Sequence, residues 1–203
     1  MDSSLGSRAG IVLFGTLWVA ALCFGFRGLL DYSSAPSDPG TPVSAWPDDT
    51  ELGAESGGPE LLMFAHALCP CTQASLAELE RVLARAPERP RARVVLWSDP
   101  TQPERFSESR LRDRVRAVPE IELVEDPGGR LACNFGVTTS GTTVLFDADG
   151  RRRFAGGITA SRGHEGTSVG TLALDALLRG ESTERSAAPV YGCSLTDDVE
   201  RAR

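Results

Sequence analysis

The sequence predicts an α/β domain that follows an N-terminal apolar helix. Three observations support this prediction: a long uncharged run opens the chain, short apolar runs alternate with helical patterns from residue 60 onwards, and two strand-like runs flank a tight-turn sequence near residue 150. Alternation of strands and helices is typical of a sheet covered by helices. The 203 residues leave room for one domain of ordinary size and additional segments.

Composition excludes several classes of function. The formal net charge is −7, so we expect no nucleic-acid partner and no attraction to anionic membrane surfaces. All 21 basic residues are arginine, which removes Schiff-base chemistry and the phosphate-binding lysine of a Walker loop. The cysteines are too few and too scattered for a disulfide scaffold; they are Cys23, Cys69, Cys71, Cys133 and Cys193.

Residues 1–30 are predicted to form a transmembrane anchor. Ala9 to Phe26 carries no charge, and the apolar run continues past Arg27, so residues 9–30 are just long enough to cross a bilayer as a helix. A cleavable signal peptide is the alternative, but no clean small-x-small site follows the run. We therefore favour an uncleaved, single-pass anchor.

The charges that flank the anchor predict its orientation. Arg8 precedes the apolar run, and residues 31–59 contain six acidic residues and no basic residue. This pattern favours a cytoplasmic N-terminus and a soluble part on the periplasmic or extracellular side, where disulfides persist. Residues 31–59 are rich in Pro, Ser, Gly and Asp and are predicted to form a flexible linker.

Residues 60–180 are predicted to form the folded domain. The elements follow in order: a strand at "ELLMFAH", a helix over 75–86, a strand at "RVVLW", a charged helical surface insertion over 105–118, and a short extended segment with a helix ending near residue 135. "TTVLFDADGRRRFAGGI" predicts a hairpin whose turn contains Asp149 and Gly150. A final helix covers 168–178, and residues 181–203 form a polar tail.

Connections predict the directions of the strands. Strands joined through helices should be parallel, whereas the two strands of the hairpin should be antiparallel. The resulting β-α-β-α-β-β-α order is that of a thioredoxin-like domain.

Sequence motifs strengthen this resemblance over residues 60–180. "FAHALCPC" resembles the F-x-x-x-x-C-P-x-C segment of membrane-anchored thioredoxin-like proteins, shortened by one residue, and "FGVTTSGTTVLFDADGRR" resembles their cis-proline loop and hairpin. More narrowly, "HALCPCT", "TSG", "GGITASRGHEG" and "YGC" resemble the bacterial RedB-type family, which implies a fold more than an activity. Two departures stand out: the motif is C-x-C, and Gly141 occupies the place of the cis-proline. Since that proline shapes the substrate groove, Ser140 and Gly141 become the candidate groove residues.

Cys69 and Cys71 are the candidate redox pair. A cysteine at a helix N-terminus meets unpaired N–H groups and the positive end of the helix dipole, both of which favour the thiolate. Pro70 suits the first helical position. Two residues apart, the cysteines come close enough for a disulfide, but the ring would be small and the bond relatively oxidising.

Three further residues are predicted to approach this pair. The loop that contains Arg162 and His164 should lie at the same sheet edge, where either residue affects a thiol pKa or handles a proton; an ordinary helix-entering loop is an equal alternative. The tail is long enough to return Cys193, either to resolve the pair or to bridge Cys133. Cys133 and Cys23 are otherwise interpreted as small apolar residues.

The predicted function is a membrane-anchored thiol–disulfide oxidoreductase that acts on a protein thiol or disulfide and needs no cofactor. Two alternatives remain open. His66, Cys69 and Cys71 offer soft ligands to Cu(I), although the chain has only two methionines; alternatively, the fold serves binding only. The sequence does not indicate an oligomeric state.

Overall fold

The computed structural model describes residues 3–53 and 57–195. The chain divides into two compact units, the first ending at Ala35 and the second beginning at Pro36. The first unit is a single helix, α1 (Ser3–Ser34). Its segment Gly10–Ser34, 25 residues of mean hydropathy 1.8, is long and apolar enough to cross a membrane. By length and composition α1 thus agrees with the predicted anchor, although a signal sequence passes the same test.

The second unit is a six-stranded sheet with helices. Its elements, in chain order, are β1 (Glu60–His66), α2 (Cys71–Arg85), β2 (Arg91–Ser98), α3 (Pro103–Ser107), α4 (Arg110–Arg116), β3 (Ile121–Pro127), α5 (Arg130–Asn134), β4 (Thr143–Phe146), β5 (Arg152–Gly156), α6 (Val169–Leu178) and β6 (Ala187–Ala188). The strand order across the sheet is β3-β2-β1-β4-β5-β6.

The strand directions confirm the predicted thioredoxin-like fold. β1 runs parallel to β2, and β2 runs parallel to β3, because helices connect them. β4 runs antiparallel to both β1 and β5. The turn between β4 and β5 contains Gly150 at φ +73°, a conformation that glycine adopts without a steric penalty. α6 begins as predicted, with Ser168 as the N-cap of a capping box completed by Thr171.

β1 lies in the middle of the sheet, and all seven of its residues are buried. It therefore reads as a continuous apolar run and not as an alternating pattern. The predicted surface insertion also contributes to the core, since Phe106, Leu111 and Val115 are buried in it. The C-terminal end of β1 leads directly into α2, which places the Cys-Pro-Cys motif at this edge of the sheet.

The predicted flexible linker over 31–59 requires correction. Residues 31–34 belong to α1, and residues 36–52 pack on the domain. Trp46 makes edge contacts with Phe135 at 5.2 Å and with Phe146 at 5.1 Å, measured between ring centroids, and Leu52 is buried in the core. Residues 54–56 of the predicted linker lie outside the described residues. A few large side chains thus attach a segment whose average composition is polar.

The predicted polar tail over 181–203 requires a similar correction. Residues 187–188 form β6 beside β5, and Val190 and Leu195 are buried. The part of the tail beyond residue 195 lies outside the described residues. The domain therefore extends beyond its predicted bounds of 60–180 at both ends.

Candidate functional site

The Cys-Pro-Cys motif lies between β1 and α2. α2 begins at Cys71, and Pro70 occupies the N-cap with φ −67° and ψ −29°. The helix therefore begins one residue later than predicted, since Pro70 was expected at the first helical position. No side chain caps α2. In the first turn, the N–H groups of Thr72 and Gln73 donate at 3.3 Å to the carbonyl oxygens of Cys69 and Pro70. The hydroxyl and N–H of Thr72 also lower the pKa of Cys69.

The two cysteines of the motif differ in exposure. Cys69 is buried, with 3% of its surface accessible, whereas Cys71 is half-buried. The charge on Cys69 contributes to the raised pKa of Cys71. The sulfur of this pair that a protein partner can reach is therefore that of Cys71.

Cys193 forms the third corner of the site. Its side chain hydrogen bonds to the side chain of Cys69, and its backbone N–H also points to that sulfur. Cys193 is half-buried, and the three cysteines are all unbridged in this structure. Of the two predicted destinations for Cys193, the structure shows the one beside the Cys-Pro-Cys motif.

The neighbouring groups favour the thiolate form of Cys69. The hydrogen bond from the Cys193 thiol, helped by the hydroxyl and N–H of Thr72, lowers the pKa of Cys69 to about 4 despite its burial. Burial and the charge on Cys69 raise the pKa of Cys71, with Arg162 opposing the rise. The hydrogen bond to Cys69, together with burial, raises the pKa of Cys193. The resting cluster thus has one thiolate, which two thiols flank.

Arg162 joins this cluster, whereas His164 does not. The Arg162 guanidinium hydrogen bonds to the Cys71 thiol, and it also donates to the carbonyl oxygen of Gly192 at 2.6 Å and to the hydroxyl of Ser37 at 2.8 Å. His164 is exposed, and its Nδ1 lies 2.9 Å from the carbonyl oxygen of Arg162. The sequence therefore placed the loop at the correct edge, but only one of its two candidate side chains faces the sulfurs.

Ser140 and Gly141 connect the site to β1 and to the C-terminal segment through hydrogen bonds. The Ser140 hydroxyl lies 2.6 Å from that of Thr72 and accepts a hydrogen bond from the N–H of His66. Its own N–H donates to the carbonyl oxygen of Cys193 at 2.8 Å. Gly141 has φ +89°, and its N–H donates to β1.

The predicted substrate groove at Ser140 and Gly141 is covered in this structure. Both residues are buried, and the chain around Ser194 forms an antiparallel bridge with Thr139. The tail thus covers the surface on which a substrate peptide was expected to lie.

His66 packs in the core near the motif. Its ring stacks on Trp97 with 4.7 Å between ring centroids, and its Nδ1 accepts a hydrogen bond from the N–H of Leu68 at 3.1 Å. Over residues 3–53 and 57–195, the structure shows no group of three His, Cys, Asp or Glu side chains that could hold a metal ion. His66, Cys69 and Cys71, the ligands of the Cu(I) alternative, do not form such a group among the described residues.

Two residues of the site, Thr72 and Ser37, were not predicted from the sequence. Thr72 follows the motif directly in the first turn of α2, so its contact with the motif could have been predicted from its position. Ser37 lies in the supposed linker, and nothing in the local sequence indicates that it approaches Arg162, which is 125 positions away in the chain.

Solved structures of similar fold come from several bacteria. An uncharacterised conserved protein from Geobacillus kaustophilus is 21% identical, with 80% of this chain and 92% of that chain covered and a TM-score of 0.58. A hypothetical protein from Sinorhizobium meliloti 1021 is 20% identical, with 80% and 96% covered and a TM-score of 0.51. The pneumococcal exposed lipoprotein thioredoxin from Streptococcus pneumoniae is 20% identical, with 62% and 86% covered and a TM-score of 0.43. No family model matches the chain, and no curated protein matches it significantly.

Proposed function

We propose that this protein is a membrane-anchored thiol–disulfide oxidoreductase that exchanges disulfides with protein partners outside the cytoplasm. The observation that carries the proposal is the pair of sulfurs at the start of α2: a buried Cys69 thiolate beside the half-exposed Cys71. Such an arrangement suits exchange, because one sulfur meets the partner while the other attacks or leaves.

The low pKa of Cys69 favours its role as the departing sulfur. In a Cys69–Cys71 disulfide, a partner thiolate attacks the accessible Cys71 sulfur, a mixed disulfide forms, and the bond to Cys69 breaks. The electron pair of that bond remains on Cys69, where Thr72 and Cys193 stabilise it. A thiol of lower pKa leaves faster, so these hydrogen bonds accelerate the release.

A surface beside the motif offers a partner somewhere to dock. A shallow depression borders the Cys-Pro-Cys segment, and its lining includes Leu68, Pro70, Gln73 and Leu111. An extended peptide that lay there would bring a cysteine near the motif without displacing the tail.

The location outside the cytoplasm rests on the sequence of the N-terminal unit. Arg8 precedes the span and residues 31–59 carry no base, which favours export of the C-terminal part. We also propose that the chain is related to the RedB-type family, on the basis of the motifs quoted above. Four residues of those motifs meet at the site: Cys69, Cys71, Arg162 and Cys193.

The test is a redox titration of the full chain in detergent micelles, with Cys23→Ser and Cys133→Ser as the background. We expect a reversible two-electron couple against glutathione buffers and catalysed reduction or reoxidation of a protein disulfide. Cys69→Ser should abolish both properties. The background itself is the matched control, because Cys133 is exposed on α5 and does not belong to the cluster.

Two results would contradict the proposal. The first is the absence of any couple in the background protein, which would leave the binding-only alternative. The second is turnover that survives in a Cys69→Ser, Cys71→Ser double variant, because the sulfurs would then have no part in the reaction.

A further inference from the structure

The tail reaches the site over a surface of glycines. The backbone of Ala188 passes so close to Gly156 that a Cβ on Gly156 would lie 2.4 Å from the Ala188 carbonyl oxygen, and a Cβ on Gly157 would lie 2.4 Å from that of Pro189. No side chain fits at such distances. The paired glycines of "GGITASRGHEG" therefore make room for the tail.

A second close approach aligns the tail beside the redox pair. A Cβ on Gly192 would lie 1.8 Å from the carbonyl oxygen of Ser140. Immediately beyond, the Ser140 N–H donates to Cys193, and the Leu195 N–H donates to the Thr138 carbonyl oxygen at 2.7 Å. The glycine of "YGC" is thus required next to the segment that supports the Cys-Pro-Cys motif.

Polar contacts hold the same stretch from the other side. The Gly192 carbonyl oxygen accepts hydrogen bonds from Arg162 at 2.6 Å and from the Ser37 hydroxyl at 2.9 Å. The Ser37 N–H donates to the carbonyl oxygen of Val190 at 2.8 Å, and the Val190 side chain is buried. Cys193 is therefore held in place by contacts from three other parts of the domain.

We propose that the stable oxidised form of this protein is a Cys69–Cys193 disulfide, and that Cys71 is the surface thiol that exchanges with the partner. The inference rests on the proposed oxidoreductase function and names its internal relay. Ser140 connects Cys193 to the motif, because its N–H donates to the Cys193 carbonyl oxygen at 2.8 Å and its hydroxyl lies 2.6 Å from that of Thr72. Cys71 is only two positions from Cys69 in the chain, so the alternative bond, Cys69–Cys71, also has to be weighed.

Local geometry separates the two bonds. A Cys69–Cys71 bond closes a small ring through Pro70, whose φ is fixed by its own side chain, while Cys71 already belongs to α2. A small, constrained disulfide is the more oxidising and labile one. A Cys69–Cys193 bond joins separate elements whose backbones are already aligned, so it becomes the resting form.

The relay balances as three exchanges. The Cys71 thiol first passes its proton to Cys69, and the resulting Cys71 thiolate attacks a partner disulfide. A mixed disulfide forms, and the released partner thiolate takes the proton from Cys69. The Cys69 thiolate then attacks the Cys71 sulfur, which forms Cys69–Cys71 and releases the second partner thiol. Finally, Cys193, once deprotonated, attacks the Cys69 sulfur, which forms Cys69–Cys193 and returns Cys71 as a thiol. The partner gains two electrons from the enzyme and two protons, of which the reduced cluster of one thiolate and two thiols supplies one and the solvent supplies the other. The reverse sequence oxidises a partner dithiol.

Disulfide mapping of the full chain tests the linkage. The Cys23→Ser, Cys133→Ser background is oxidised with glutathione disulfide in detergent, quenched with acid, alkylated and digested with trypsin. Cys69 and Cys71 share the fragment 28–81, and Cys193 lies in the fragment 186–201. We expect these two fragments to be crosslinked, with the alkyl group on Cys71. A loop within fragment 28–81 together with an alkylated Cys193 would overturn the inference.

Removing Cys193 gives the second readout. In Cys193→Ser, the only internal disulfide left to Cys69 is the small ring, so the equilibrium with glutathione should shift at least tenfold towards the reduced enzyme. An unchanged equilibrium constant would contradict the relay. Gly192→Ala should likewise reduce the crosslink at least severalfold, because the new Cβ displaces the tail. Gly58→Ala is the matched control, since nothing lies within 4 Å of a Cβ there.

The experiments distinguish a failure of the Cys69–Cys193 relay from a failure of the proposed oxidoreductase function. A two-electron couple that survives with a Cys69–Cys71 linkage overturns only the relay. Loss of every couple in the background protein overturns the oxidoreductase proposal itself.

Discussion

At the scale of single residues, the chemistry depends on which of three sulfurs carries the charge. Cys69 receives hydrogen bonds from the Cys193 thiol and from both the hydroxyl and the N–H of Thr72. These donors outweigh burial, which alone would favour the neutral thiol. The buried sulfur is consequently the anion, whereas the accessible sulfur of Cys71 stays protonated until Cys69 becomes neutral or oxidised.

The first prediction concerns the titration of the Cys69 thiolate. Because its pKa is lowered from 9.0 to about 4, thiolate absorbance in the ultraviolet should persist as the pH falls through neutrality and disappear only near about pH 4. Cys193→Ala removes the principal donor, so the midpoint should move upwards towards 9.0. Cys71→Ser serves as the control and should leave the low-pH midpoint in place. A midpoint that stays near the ordinary thiol value in the unmodified cluster would contradict this assignment of charge.

The second prediction concerns Arg162. Arg162→Gln removes the cation that opposes the raised pKa of Cys71, so less Cys71 thiolate forms at neutral pH. We expect reaction of Cys71 with an aromatic disulfide reagent to slow about tenfold, which is roughly 1.4 kcal/mol and close to the lower end for a hydrogen bond to a charged group.

His164→Gln is the matched control for Arg162. It changes a titratable side chain in the same loop, but His164 is exposed and its Nδ1 lies beside the backbone carbonyl oxygen of Arg162, away from the sulfurs. Its reaction rate should equal that of the parent protein. Equal slowing in both variants would indicate that the loop acts through its conformation and not through the guanidinium group.

The residues of the site were predictable to different degrees. The Cys-Pro-Cys motif is visible as a local pattern at a strand-to-helix junction, and topology alone placed Arg162 at the same edge. The roles of Ser37 and Gly192 depend on backbone approaches between distant segments, which leave no local pattern. His66 illustrates the opposite case, since its position near the motif suggested a ligand while its ring packs on Trp97.

At the scale of elements, the segments on either side of the predicted domain matter most. Residues 36–52 and 186–195 bracket the domain in sequence and meet in space, where Ser37 pairs with Val190 in an antiparallel bridge. Their average composition is polar, so a compositional reading assigns them to a linker and a tail. Isolated anchors such as Trp46 and Val190 decide their structure instead.

The third prediction tests this attachment through Trp46. Its ring packs against Phe135 and Phe146, and its Nε1 donates to the carbonyl oxygen of Leu52 at 3.1 Å. Trp46→Ala should lower the free energy of unfolding of the domain by about 2 kcal/mol, below the cost at a fully buried aromatic because Trp46 is half-buried. Urea unfolding in detergent measures the change.

Trp18→Ala provides the matched control for Trp46. Trp18 lies on α1, is 58% exposed and belongs to the other compact unit, so the unfolding of the domain should be unaffected. If neither Trp46→Ala nor Trp18→Ala changes the free energy of unfolding, residues 36–52 do not stabilise the domain. The interpretation of these residues as a flexible linker would then be correct.

At the scale of the whole molecule, the sheet was the most predictable feature. The strands β1, β2, β4 and β5 and their directions follow from hydrophobic patterns and from the lengths of the connections, because a tight turn forces antiparallel neighbours and a helix permits parallel ones. β3 was expected only as a short extended segment, and it pairs with β2 along its whole length. The sixth strand, Ala187–Ala188, has two residues. It forms because Gly156 admits a close neighbour, which no pattern in the tail itself reveals.

The fourth prediction concerns the anchor. α1 contains one span, Gly10–Ser34, that is long enough for a bilayer core, and Leu22 lies near its middle. A charge at the centre of a spanning helix costs about 3 kcal/mol on insertion. Leu22→Arg should therefore reduce the fraction of protein that resists alkaline extraction of bacterial membranes, measured by immunoblot. Leu172→Arg, at a similarly exposed leucine on α6, should leave that fraction unchanged.

Three outcomes decide what the anchor means for the chemistry. If the N-terminus is cytoplasmic, Cys71 in intact cells should react with a membrane-impermeant thiol reagent to the same extent as in permeabilised cells, because the site then lies on the side of the membrane that the reagent reaches. A chain recovered in the soluble fraction without its first thirty residues would show that α1 is a cleaved signal. Protection of Cys71 until the cells are permeabilised would place the three sulfurs in a reducing compartment, where a lasting Cys69–Cys193 bond is not expected to persist.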